Sequence, residues 1–333
     1  MNILWCRGNE QIPFTRPSTF FSLGVRGSGK SSFLEHVAMQ YLQRNSVILD
    51  LYGSRDGEGL AWLRSPHSQA KRILLLKGEN VDIQSSYDVQ SINSLSLTDL
   101  ERYDILISAS PLYINIDQEF SSTAKVTDLI YQRLSWNRMI FMICREASNF
   151  YYSRLKVSDN QVMAKSQMIY LIREARHVGL ALGLDSIRFY AIDIDIRNLA
   201  DYLILKSQGV QGLSRDLNWL YTYFNPSVIR NMQPQHFVIV TRKGSLGLGM
   251  FPFHPWHKRE KENILTSVGI KVEYGEPMHD SQYRGTYHTV SDSEHGEIIR
   301  LYMEEELSLQ KIADKLNRSS RTPLNHILAS ASY

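Results

Sequence analysis

Residues 24–31 read Gly-Val-Arg-Gly-Ser-Gly-Lys-Ser: a glycine, four residues, then Gly-Lys-Ser. The stretch follows an apolar run, Thr19–Leu23, and opens a helical pattern over Ser31–Arg44. Each residue type has a physical task at that spacing. The glycines let the backbone curl until successive N–H groups point at one anion, and the helix that follows turns its positive end to the same place. Lys30 reaches the outer phosphates of a polyphosphate, and the Ser31 hydroxyl is a hard oxygen ligand for Mg²⁺. A flexible glycine-rich turn is the plain alternative, but it requires neither a strand before it nor a helix after it. The motif implies nucleotide binding, with Gly24, Gly27, Ser28, Gly29, Lys30, Ser31 and Ser32 around the phosphates.

Such a loop belongs to an α/β fold, and the rest of the chain agrees. Short apolar runs predict strands at Thr19–Val25, Ser46–Tyr52, Arg72–Lys77, Tyr103–Ser108, Arg138–Cys144, Leu180–Asp185, Tyr202–Lys206 and His236–Thr241. Helical patterns fall between them, at Ser31–Arg44, Thr123–Ser135, Met163–Val178 and Ser214–Phe224. Continuous apolar strands separated by helices predict a mainly parallel sheet covered on both faces, the α/β fold of a P-loop NTPase. Gly244–Gly249 reads as a glycine-rich loop after the last of these strands. The aromatic, proline-containing Phe251–His257 reads as a strap packed on the core. His254, His257 and His279 lack metal-site spacing.

Near residue 275 the pattern changes. Residues 276–293 are polar and aperiodic and read as a linker, and 294–333 as a small all-α domain. The first domain is then 1–275, with its core at about 19–242. With 43% hydrophobic and 21% charged residues, the chain has enough apolar surface to fold throughout. Its net charge of +3 over 333 residues excludes a bulk polycation, so any nucleic-acid contact must come from a local basic patch. Cys6 and Cys144 stand far apart with no CxxC partner, which argues against a disulfide scaffold or a cysteine zinc site. The first residues do not read as a signal peptide, and no apolar run approaches a membrane span. A cytoplasmic, reducing setting is expected.

A P-loop hydrolase needs a second apolar strand ending in acid, to hold Mg²⁺ and orient the attacking water. The candidate is Met139–Cys144, followed by Arg145-Glu146-Ala147. Glu146 is placed to activate water, its plainer alternative being a capping or solvated residue. Arg145 stands where an Asp is expected. Together with Arg173-Glu174-Ala175-Arg176-His177-Val178-Gly179-Leu180, a strand closing on Asp185, and the segment Asp193–Tyr202, these features make residues 19–242 resemble the FtsK/HerA superfamily of P-loop motors. That resemblance implies ATP and Mg²⁺ as cofactors, catalytic roles for Lys30 and Glu146, and a homo-oligomer such as a hexameric ring. In such a ring an arginine acts on a neighbour's phosphate; Arg197 falls at that position, with Arg173 and Arg176 as rivals. Pairing of Arg197 with a nearby aspartate is the bland alternative. Arg145 and Asp185 depart from the family's usual Asp and Gln, which leaves three outcomes open: slow hydrolysis, lost hydrolysis, or another carboxylate on Mg²⁺. Asp50 is the candidate, ahead of Asp104.

The final stretch carries Ile312, Ala313 and Leu316 at helical spacing, then a polar turn and Pro323. It resembles helix-turn-helix domains of the resolvase and sigma-factor type. That implies major-groove contacts from Arg321, Thr322, Asn325 and His326, and phosphate contacts from Lys311, Lys315 and Arg318. From Ser308 to Tyr333 four Lys/Arg face one acid, Asp314. A helical protein-interaction module is the alternative. The expected function is an ATP-dependent DNA translocase or DNA-processing motor acting on double-stranded DNA. Its rival is a nucleotide-gated DNA-binding regulator with weak or no hydrolysis.

Overall fold

The computed structural model describes residues 1–133, 137–152, 159–275, 297, 298, 300–302, 311, 312 and 315. The chain divides into two compact units, Met1–Pro277 and Met278–Tyr333. In the first unit the strands are β1 (Asn2–Arg7), β2 (Thr19–Leu23), β3 (Val47–Tyr52), β4 (Ile73–Lys77), β5 (Val81–Gln84), β6 (Asp88–Ser91), β7 (Ile105–Ile107), β8 (Ile140–Cys144), β9 (Leu180–Ser186), β10 (Tyr202–Leu205), β11 (His236–Thr241), β12 (Leu246–Met250) and β13 (Lys271–Tyr274). The helices are α1 (Lys30–Leu42), α2 (Leu97–Arg102), α3 (Ile116–Tyr131), α4 (Asp159–Glu174), α5 (Ile194–Leu199), α6 (Pro226–Arg230) and α7 (Ile264–Ser267).

Eleven strands form one sheet in the order β1-β12-β11-β10-β2-β9-β8-β3-β7-β4-β6. From β10 to β6 every pairing is parallel. From β10 to β1 the sheet continues antiparallel. β5 and β13 make a separate two-stranded ribbon. This mostly parallel mixed sheet with flanking helices fits the α/β fold of P-loop NTPases.

The alternation of side chains along buried parallel strands builds two cores, one per sheet face. Leu49, Leu51, Met142, Leu182 and Leu184 pack with Phe120 and Ile130 of α3 and Met168 and Leu171 of α4. Ile48, Phe141, Ile143 and Ile204 pack with Phe33, Leu34 and Val37 of α1. Gly183 gives α1 room: a Cβ there would lie 2.8 Å from the Phe141 ring and 3.1 Å from Leu34. Phe251 and Trp256 of the strap are buried in the same core, so α1 is covered on its outer side as well.

All eight expected strands are present, one with the expected ends and seven with ends shifted by one or two residues. The glycine-rich stretch is not a loop: Leu246–Met250 is β12, paired to both β11 and β1. Its glycines are there for close approach. A Cβ on Gly249 would stand 2.2 Å from the Phe237 ring, and one on Gly247 2.8 Å from Ile3. The Ser214–Phe224 pattern forms a 3₁₀ segment, Arg215–Thr222, and not an α-helix. Because Phe237 is fully buried between Phe33 and Phe251, its ring has nowhere to move. Gly249→Val is expected to lower stability by about 1–3 kcal/mol, read as a reduced thermal midpoint, whereas Gly244→Ala, which meets nothing within 4 Å, loses only the smaller cost of its positive φ.

Candidate active site

The C-terminal ends of β2, β8 and β9 converge on the N-terminus of α1. The loop between β2 and α1 curls through Gly27 (φ 74°) and Gly29 (φ 83°), backbone angles that favour glycine. Gly29 is held a second way, since a Cβ would meet the Pro234 carbonyl oxygen at 2.5 Å. Gly24 abuts the Lys206 side chain, which a Cβ would meet at 2.7 Å. The Lys30 ammonium donates to the Val25 carbonyl, 3.2 Å away. The Ser28 hydroxyl is buried in the loop with no hydrogen-bond partner among the described residues. Ser31 and Ser32 are half-buried in the first turn of α1.

Asp185, near the end of β9, joins this loop to the turn after β8. Its Oδ2 accepts from the Ser31 hydroxyl at 3.1 Å, and its Oδ1 accepts from the Glu146 backbone N–H at 2.6 Å. Burial pushes the Asp185 carboxyl up to about 6; Lys30 pulls against that shift and Glu146 adds to it. Glu146 itself has φ 45° and ψ 48°, left-handed backbone that costs a residue with a Cβ about 1–3 kcal/mol and persists only where its surroundings hold it. The bond to Asp185 supplies that hold, and the half-buried carboxylate of Glu146 is left beside Asp185 and the loop.

Arg145 is turned the other way, into the α1 face of the sheet. It is 1% exposed. Its Nε donates to Asp50 Oδ1 (3.0 Å), and its Nη2 to Asp50 Oδ2 (2.6 Å) and Glu35 Oε1 (2.8 Å). Glu58 lies 3.3 Å from Nη1. Trp62 Nε1 donates to Asp50 at 3.0 Å, so both Asp50 oxygens are engaged. On the far side, His257 Nδ1 lies 2.8 Å from Glu35 Oε2. Burial alone would raise the Glu35 carboxyl, but His257 and Arg145 outweigh it and hold the group low. Burial likewise opposes charge on His257, and Glu35 overcomes it and raises the imidazole.

Asp50, expected as the Mg²⁺ carboxylate, is therefore the counter-ion of Arg145, and the acid that meets Ser31 is Asp185. The alternative, Asp104, pairs with Arg138 at 2.7 Å. Glu35 and His257 were not anticipated. The usable signal for Glu35 was a lone acid inside the apolar run Phe33–Ala38, since a charge buried on a core helix requires a partner. His254 stacks on His36, with ring centroids 5.3 Å apart, and no metal-holding cluster of His, Cys, Asp or Glu occurs among the described residues.

Arg197, expected to act on a neighbour's phosphate, lies in α5. Its guanidinium lies over Phe189 (4.7 Å) and Tyr190 (5.3 Å), 3.8 Å from Asp216. It lines a cavity of about 870 Å³ with Val25, Tyr152 and Gln208. Its side chain is 14% exposed, against 55% for Arg173 and 69% for Arg176, which pair with Asp195 and Asp201. In the second unit Ile298, Leu301 and Ile312 are buried, and Lys311 and Lys315 are exposed on helical residues. Arg318, Arg321, Thr322, Asn325 and His326 lie outside the described residues, as does the expected linker. Among the described residues no helix is long and apolar enough to cross a membrane.

No protein-family model matches the chain, and no curated protein does. Among solved structures it is similar to the DNA-packaging ATPase B204 of Sulfolobus turreted icosahedral virus, at 18% identity over 72% of this chain and 100% of that one, with a TM-score of 0.43. It is also similar to the pCW3 conjugation coupling protein TcpA in its monomer form with ATPγS (14% identity, 75% and 65% covered, TM-score 0.44). A third similarity is to ATPases 2 and 3 of EccC from Thermomonospora curvata (14%, 74% and 38%, 0.40).

Two outcomes follow from this geometry. Asp185 has a folded pKa of about 6 against an ordinary 3.8, so its proton stabilises the fold below about pH 4, and that contribution is gone above about pH 6. Asp185→Asn, whose Oδ1 still accepts from the Glu146 N–H while its Nδ2 donates to the Ser31 hydroxyl oxygen, is expected to gain up to about 3 kcal/mol over the native protein at pH 8 and nothing at pH 4 in denaturant titrations. Arg145→Ala leaves Asp50 and Glu35 buried without their cation and is expected to cost about 3–5 kcal/mol by the same measurement.

Proposed function

We propose that this chain is an ATPase that binds ATP and Mg²⁺ at the Gly24–Ser31 loop and couples turnover to double-stranded DNA, as a translocase or processing motor of the FtsK/HerA type. The observation that carries the nucleotide reading is the meeting of Ser31 and Asp185 inside a loop curled by two positive-φ glycines. The Ser31 hydroxyl and Asp185 carboxylate are hard oxygen donors side by side and suit Mg²⁺. Bound there, the ion neutralises charge on the phosphate oxygens. The loop's N–H groups and the orphaned Ser28 hydroxyl serve the phosphates, and Lys30, leaving the Val25 carbonyl, takes the outer ones. Glu146 is the candidate to accept a proton from the attacking water. Its left-handed backbone, tied to Asp185, sets where that carboxylate begins.

The DNA part rests on the chain's resemblance to FtsK/HerA motors and on the helix-turn-helix pattern near its end. There Ile312 is buried and Lys311 and Lys315 are exposed, with Arg318, Arg321, Thr322, Asn325 and His326 proposed to complete the contact. A homo-oligomeric ring would let a neighbour's arginine reach the phosphate. Arg197 must leave Phe189 and Tyr190 to do so, while Arg173 and Arg176 are already exposed. The weak-hydrolysis regulator is favoured by one feature, Arg145 at the strand end that should carry the metal's Asp.

Turnover separates the readings. Steady ATP hydrolysis stimulated by duplex DNA is expected, with Lys30→Ala lowering it by about 100-fold or more. ATP-dependent DNA binding by a native protein that shows no hydrolysis with or without DNA would select the regulator.

A further inference from the structure

Lys206 follows β10 with none of its surface exposed. A buried lysine without a carboxylate is costly, and among the described residues none pairs with it. Its Nζ instead donates to two backbone carbonyls, Pro234 O and His236 O, each at 2.6 Å, and lies 4.6 Å from the centre of the Phe251 ring. Burial lowers its pKa to about 7, with Lys30 adding to the shift. An amine of either charge keeps the two donors this arrangement uses.

What those bonds hold is the phosphate loop. A Cβ on Gly29 would meet the Pro234 carbonyl oxygen at 2.5 Å, and one on Gly24 would meet the stem of Lys206 at 2.7 Å. The next two residues stitch the loop's start. Ser207 O accepts from the Val25 N–H at 2.9 Å, and Gln208 Nε2 donates to Leu23 O at 3.1 Å. The loop is thus seated at both ends on residues 206–208 and 234, and Lys206 is the side chain that fastens those two segments together.

We propose that Lys206 is a positioning residue of the phosphate loop: by pinning residues 234–236 to the end of β10, it holds Gly24 and Gly29 in the curve that receives phosphate. This rests on the ATP reading, so its test includes one measurement that does not. In Lys206→Met, which keeps the stem but loses the donors, KM for ATP is expected to rise about tenfold with kcat within twofold. Amide hydrogen exchange of the nucleotide-free protein should quicken at residues 24–31 and 233–236 and stay unchanged in β3 and β8. Lys206→Gln, which keeps amide N–H donors on a shorter stem, should fall between the two, and it serves as the test variant if the methionine variant does not fold. Unchanged KM and exchange, or a fall in kcat with KM constant, overturns the proposal. Faster exchange in the loop of a native protein that binds no ATPγS would refute the ATP reading and leave the positioning role standing.

Discussion

The first unit is organised around a charge that cannot be left alone. Arg145 follows the central strand β8 with a guanidinium buried beneath α1. Burying a cation without partners costs several kcal/mol, so every element around it must supply one. Asp50 comes from β3, Glu35 from α1, Glu58 from the loop after β3, and His257 from the strap by way of Glu35. The strap is tied again by Arg64, bonded to Glu262 and to the carbonyls of Trp256 and His257. Sheet, helix and strap are thereby joined through one ion cluster.

That cluster has a consequence one residue later. With Arg145 held from below, Glu146 starts its turn in left-handed backbone, and its N–H donates to Asp185. The parallel order β2-β9-β8 puts that acid between the strand that feeds the phosphate loop and the strand that ends in Glu146. A carboxyl so placed is unfavourable for the fold at neutral pH, because burial opposes its charge. Perturbed acids of this kind gather where a site needs them, and here the same carboxylate meets the Ser31 hydroxyl.

Much of this was legible one residue at a time. The central strands declared themselves as apolar runs, since strands buried on both faces leave no polar alternation to misread. The loop stood out because glycines, a lysine and a serine recur there at a fixed spacing, after an apolar strand and before a helix. Helix α3 starts at Ile116, seven residues before the Thr123 that its apolar spacing predicts. Its opening turns are rich in Asp, Gln, Glu and Ser, and only in the fold do Asn115 cap the Gln118 N–H and Ser122 bond back to the Glu119 carbonyl. β12 was missed because glycine weakens a strand taken alone. It is required here, where Phe237 presses against the backbone.

The sequence by itself determined that this chain has a mainly parallel α/β core with a glycine-rich Gly-Lys-Ser loop between its first core strand and helix, since those features depend on local order along the chain. It also presented an arginine where an acid was expected, and could not say what that arginine would do. Only the tertiary structure decided that Asp50 answers Arg145, that Asp185 answers Ser31, and that Lys206 braces the loop. These pairings join residues 95, 154 and 28 or more positions apart. Which buried charge meets which partner is settled by strand order and side-chain direction, and neither is written in the neighbourhood of any one residue.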